Sequence, residues 1–129
     1  MTTDLTMLAW VAAATLLMWL PYILKLASST TLARIISYEA DNDTLPAWAA
    51  RAKKAHYNAV ENLAPFAALV LVAHVSGAAN NATAISAIVY FWARIAHYFC
   101  YMFAIPAMRT ITFTIGWLAC VCIFWNIVT

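Results

Sequence analysis

Charge is what this sequence has least of. Seven Lys/Arg and five Asp/Glu make up 9% of 129 residues, where a soluble domain carries about 25%. That is too little to coat a globule with water-compatible surface, which excludes an ordinary cytosolic enzyme. A net charge of +2 is no footprint for a polyanion, which excludes a nucleic-acid binder, and 66% apolar residues exclude a disordered chain. Only two glycines occur, and no repeat, low-complexity segment or second domain is visible. The three cysteines, Cys100, Cys120 and Cys122, form no C-x-x-C and lie in apolar segments. The last two point roughly 200° apart on a helix, and an odd, buried set is no disulfide framework; they read as small apolar packing groups. No two histidines share metal-ligand spacing on one helix, so no metal is assigned.

What the sequence has is long apolar runs. Its mean hydropathy is +0.81, and the runs divide it into about four spans of a single all-α integral membrane domain covering residues 1–129. Leu5 to Leu24 is free of charge and would measure about 30 Å as a helix, one hydrocarbon thickness. Asp4 with no preceding Lys/Arg, and the length of the run, argue against a signal peptide. Ser28 to Thr31 end this helix. Asp41, Asn42, Asp43 and Thr44 form a loop before Leu45-Pro46, with Pro46 in the first turn of the next helix. From Trp48 to Val75 the pattern is helical, polar around Arg51, Lys53 and Lys54 and then apolar, with a kink expected at Pro65. A turn at Ser76–Asn81 leads to a third span, Thr83 to Phe103; Ala104–Ala107 connects it to a fourth, Thr110 to Val128.

The basic residues Lys25, Arg34, Arg51, Lys53 and Lys54 flank the first connection and Arg109 lies at the third, whereas the second connection and both termini have none. The positive-inside rule then expects connections one and three in the cytoplasm and both termini outside. Two ionisable residues sit where a span should be apolar. Glu61 and Arg94 would each cost about 2.5–3.5 kcal/mol at a helix centre, so both are expected to face the bundle interior, paired or binding something. On helix two Arg51, Lys54, Asn58 and Glu61 fall within one sector of about 80°. On the next, Tyr90, Arg94, His97, Tyr98 and Tyr101 share a side. Donors with one carboxylate suit a small zwitterion, its carboxylates on Arg and Lys and its ammonium on Glu61. The same stripes could instead be pure architecture, a Glu–Arg pair with Asn58 and the tyrosines as interhelical glue. His56 reads as a solvated or packing side chain, and His74, without partners at i±3 or i±4, as structural.

The run Arg51-Ala-Lys-Lys-Ala-His-Tyr-Asn-Ala-Val-Glu-Asn-Leu-Ala-Pro-Phe66 resembles the signature of the MAPEG family, membrane-associated proteins in eicosanoid and glutathione metabolism. Tyr90–Tyr101 resembles that family's third-helix motif, and Ile105–Thr110 the start of its fourth helix. The likeness spans about residues 46 to 118 and is nearest to the bacterial branch. It implies a four-helix membrane bundle assembled as a homotrimer in a bacterial inner membrane, with glutathione held between neighbouring subunits near the cytoplasmic side. Carried over by position, Lys54, Asn58, Glu61, Arg94, His97 and Tyr101 match glutathione-contacting places. Arg109 matches the arginine that stabilises the glutathione thiolate, for attack on a lipophilic electrophile or reduction of a hydroperoxide. Arg51 joins the binding set by its helical face alone, and Thr110 could add a hydroxyl. Three departures narrow the expectation to a generic transferase or peroxidase. Lys54 stands where an arginine is common in the eicosanoid synthases, Phe113 replaces a tyrosine, and the first connection lacks a match to the acidic residue of the prostaglandin branch. Two alternatives are an inactive structural or interaction protein on the same fold, and a four-span exporter; the latter needs a carboxylate in span one, and Leu5–Leu24 has none.

Overall fold

The computed structural model describes all 129 residues, and every regular element is helical. The order is α1 (Thr3–Leu17), α2 (Leu20–Ser29), α3 (Leu32–Ile36), a 3-10 turn (Glu39–Asn42), α4 (Ala47–Val75), α5 (Asn81–Met102) and α6 (Met108–Val128). The first run is not the uninterrupted helix expected from Leu5 to Leu24: it breaks after Leu17. Pro21 has no N–H to offer the Leu17 carbonyl, four residues back. Trp19 nevertheless keeps right-handed helical angles, so the break is a bend and not a loop. From α5, Tyr98 Oη donates to the Met18 carbonyl at 2.9 Å, in a buried position at the bend.

The first connection is more structured than a loop. Thr31 caps α3, and Arg34 then reaches across nine residues to Asp43, with Nη1 and Nη2 each donating at 2.8 Å. The Asp43 carboxylate, by hydrogen bond and by charge, raises the proton affinity of the Arg34 guanidinium. Pro46 sits at the N-cap of α4, one place before the first turn where the sequence put it. The α4 helix continues unbroken through Pro65.

Small side chains set how closely α4 is approached. Ala49, Ala52, Ala55 and Ala59 are buried with Met18, Tyr22, Tyr98 and Met102 in one apolar cluster. A second cluster, toward the other end of the bundle, gathers Val11, Phe66, Val70, Ala73, Ala87, Tyr90, Ala119 and Ile123. Within it the Phe66 and Tyr90 rings stack 3.8 Å apart. Arg94 lies along α5 between these clusters, and Asn58 lies within the α4 stretch of the first. The α5 helix starts with a capping box, the Asn80 side chain and Thr83 exchanging bonds with each other's backbone. It packs against α1, α4 and α6 and has the largest share of buried residues.

Length and apolarity single out three segments able to cross a membrane: Thr3–Ser29, Ala47–Val75 and Met108–Val128. The sequence reading expected a fourth at Thr83–Phe103. The corresponding helix, α5, has the length but falls outside this set. It buries Thr83, Ser86, Arg94 and His97 against its neighbours, so part of its polar surface meets protein and not lipid. The outer faces are apolar, with Trp10, Trp92, Trp117 and Trp125 each more than half exposed.

Candidate functional site

Which residues of the two stripes meet is decided by the alanine seam of α4. Arg51, Lys54 and Asn58 each precede a seam residue and so stand about 100° around the helix from it, while Glu61 lies farther round, so the stripe runs along the edge of the buried face. Arg51 and Asn58 are half-buried, whereas Lys54 and Glu61 are exposed. The expectation that Glu61 and Arg94 would both face the bundle interior is corrected here. Arg94 is only 4% exposed, and Glu61 turns outward; within the chain the only ion pairs are those of Arg34.

Arg94 is held by an amide instead. Its Nη2 donates to Asn58 Oδ1 at 2.5 Å, while Nε is buried without a partner. Asn62, one turn further along α4, donates to the Asn58 carbonyl at 2.9 Å. Its own carbonyl accepts from Tyr90 Oη at 3.1 Å. Arg51 is likewise engaged, Nε donating at 3.0 Å to the carbonyl of Met102, the last residue of α5. A cation there meets the negative end of that helix. The sequence reading gave Arg51 to a ligand; the structure spends one of its donors on fastening α4 to α5.

The remaining predicted residues do converge. Asn58, His97, Tyr101, Arg109, Thr110 and Phe113 line an open cavity of about 280 Å³. The Arg109 guanidinium lies 4.9 Å from the centre of the Tyr101 ring, close enough for a cation–π contact. The His97 ring packs edge-on against Tyr101, at 5.7 Å between centroids. His97 is 2% exposed, and its Nδ1 has no hydrogen-bond partner. A second cavity of about 240 Å³ shares Tyr101, Arg109 and Thr110 and adds Arg51. A third, of about 310 Å³, begins at Arg94 and Asn62 and extends along Leu69, Trp117, Val121 and Phe124. Cations and neutral donors, with no carboxylate among the lining residues, thus face a polar hollow that grades into an apolar cleft. Such a surface is chemically suited to an anion with an apolar group beside it.

Sequence reasoning missed two partners. Asn62 falls outside the stripe; its side chain reaches back to Asn58 and its backbone carbonyl accepts from Tyr90, the latter a bond no side-chain pattern reveals. His56 is not simply solvated: its Nδ1 lies 2.7 Å from Tyr22 Oη, tying α2 to α4. A family model, that of the MAPEG family, matches residues 6–129. The chain belongs to the MAPEG family. Neither a curated protein nor a solved structure matches it. Membership spans nearly the whole chain, α1 included, where the motifs singled out in the sequence reach only from about residue 46 to 118. With three helical segments apolar enough to cross a bilayer, this MAPEG chain is a multi-pass membrane protein.

Proposed function

We propose that this MAPEG protein binds glutathione and uses it as a thiolate, either conjugating it to a lipophilic electrophile or reducing a hydroperoxide with it. The observation that carries the reading is the meeting of Asn58, His97, Tyr101 and Arg109 around one cavity. Arg109 has no carboxylate partner there. A free thiol ionises near pH 8.5, and a cation held beside it favours the anion. Arg109 keeps its charge, so it acts as donor and electrostatic stabiliser, not as base. In conjugation the thiolate sulfur bonds to the electrophilic carbon, and the proton lost from the thiol goes to the displaced or opened group. In reduction two thiols give a disulfide, and the hydroperoxide becomes an alcohol and water. The apolar cleft beyond Arg94 suits the lipophilic partner, arriving from the bilayer.

The exposed Lys54 and Glu61 fit the same reading if the site is completed by a second copy. In a homotrimer they would face the neighbour, Lys54 toward a carboxylate and Glu61 toward the ammonium of the bound tripeptide. The proposed topology has four spans, α5 included, with the basic connections in the cytoplasm and both termini outside a bacterial inner membrane. The family signature, the basic asymmetry and the bundle-facing polarity of α5 support it.

The test is the ultraviolet absorbance of the thiolate. Purified protein with glutathione should show the anion at neutral pH, and Arg109→Ala should abolish it while the protein still unfolds cooperatively. Wild-type protein with no bound glutathione and no thiolate would sink the reading and leave the family's fold as a structural or interaction module. The bonds made by Arg51 and Arg94 already suit such a module.

A further inference from the structure

We infer that the lipophilic partner is a single-chain lipid acid, its anionic head on Arg94 and its chain in the cleft between α4 and α6. The inference rests on the glutathione reading only in calling this ligand the second substrate. Binding of the acid needs no glutathione, so the two can fail separately.

Arg94 carries a charge that nothing in the chain answers. Its side chain is 4% exposed, its one bond goes to a neutral amide, and both ion pairs of the chain belong to Arg34. Glu61, the one acid on α4, is exposed, and α5 and α6 contain none. A buried cation without a countercharge is costly, and within a span it marks a place where something binds.

The free part of the guanidinium faces one space. Nε is sealed and Nη2 is taken by Asn58, whereas Nη1 makes no hydrogen bond and is not among the sealed atoms. Arg94 borders two cavities. The one toward Val11, Thr15 and Met18 has no room for a water molecule; the other is the cleft of about 310 Å³. Nη1 therefore opens on the cleft. Gly116 makes room for this, since a Cβ there would already stand 3.7 Å from both Arg94 Cδ and the Tyr90 ring, and a larger side chain would displace the arginine stem. The neighbouring polar groups are occupied: Tyr90 Oη donates to the Asn62 carbonyl, and Asn62 Nδ2 to that of Asn58.

From Arg94 the cleft runs between Leu69 on α4 and Trp117, Val121 and Phe124 on α6. Gly116 to Phe124 is about 12 Å of helix, a trough for one alkyl chain. Arg94 lies about 12 Å along α5 from its end at Met102, too deep for the phosphate of a bilayer phospholipid, which stays with the headgroups. A lipid acid small enough to enter brings its own anion to the guanidinium by a charge-assisted bond and buries its chain on the apolar walls. Phe113 borders both the cleft and the hollow that Arg109 lines, so the head of such a ligand, and not its tail, lies next to the thiolate. Arg94 does not line that hollow; its part is to select the second substrate.

Binding of dodecanoate and of dodecanol to the purified protein in an uncharged detergent, corrected for partition into protein-free micelles, tests this. The acid should bind about tenfold tighter than the alcohol. Arg94→Gln should bring the two within about twofold by weakening the acid alone. Val121→Trp keeps the arginine and fills the cleft from a partly exposed wall; it should weaken both ligands, and it serves on its own should Arg94→Gln fail to fold. Equal binding of acid and alcohol to the wild type overturns the inference, as does a preference that survives Arg94→Gln or a Val121→Trp protein with undiminished binding. Tighter dodecanoate binding in Glu61→Gln would assign the countercharge to a second copy of the chain and overturn it too. Glutathione affinity, measured by calorimetry on the same preparations, keeps the two readings apart: acid binding without glutathione ends the glutathione reading and leaves the acid's site standing, whereas glutathione binding without preference for the acid ends this inference alone.

Discussion

Arg94 makes one hydrogen bond in the chain, to Asn58, although a guanidinium has five N–H groups to satisfy. Removing that acceptor would leave a charge 4% exposed with nothing to hold it. Asn58→Leu should therefore lower stability by about 1–3 kcal/mol, read as a drop in the thermal midpoint in detergent. Asn58→Asp keeps an acceptor and supplies a countercharge, so its midpoint should stay at or above that of wild type. A leucine variant as stable as wild type would show that Arg94 has another partner. The sequence singled out both residues, because an arginine inside an apolar run needs a partner and an asparagine on the facing stripe can supply one. It left the partner of Arg94 open between a carboxylate and other groups, and the structure supplies an amide. Glu61 is the only carboxylate in α4, but it lies on the exposed edge of the stripe, turned away from the alanine seam that decides which face is interior.

The bend in the first span turns on an element boundary. Pro21 was plain in the sequence, but where the unbonded carbonyls would find donors was not. Tyr98, 80 residues away, supplies one to Met18. Tyr98→Phe removes that donor without changing the ring, and should cost about 1 kcal/mol. The loss should show as faster amide exchange around Met18 and a lower thermal midpoint. An unchanged exchange pattern would mean the bend holds itself. The same logic separates α5 from the other long helices. Its period and the turn at Ser76–Asn81 before it were legible, because a polar stripe on an apolar helix and a Gly–Asn turn are local signals. Its lower apolarity follows from the polar residues it buries against three neighbours.

Taken whole, the bundle carries its polar hollow on one side, with Lys54 and Glu61 exposed on the flank of α4. If a second copy completes the site, charge reversal on that flank should act through assembly. Glu61→Lys and Lys54→Glu should each reduce glutathione affinity by about tenfold or more. The double reversal should restore part of it only where the two side chains meet across an interface. Native mass spectrometry in detergent gives the number of copies beside each affinity. Monomers that bind glutathione as tightly as wild type would place the whole site within one chain.

Fold class and family were readable from the string of residues. Charge scarcity and apolar runs mark a multi-pass helical membrane protein, since hydration and hydrophobicity act on composition and period without regard to partners. Motif spacing on a regular helix likewise named most of the polar side chains that gather around Arg109. Packing settled the rest, because it depends on surfaces that meet only after folding. It determined that Arg51 fastens a helix end, and that Arg94 takes an amide while Glu61 looks outward.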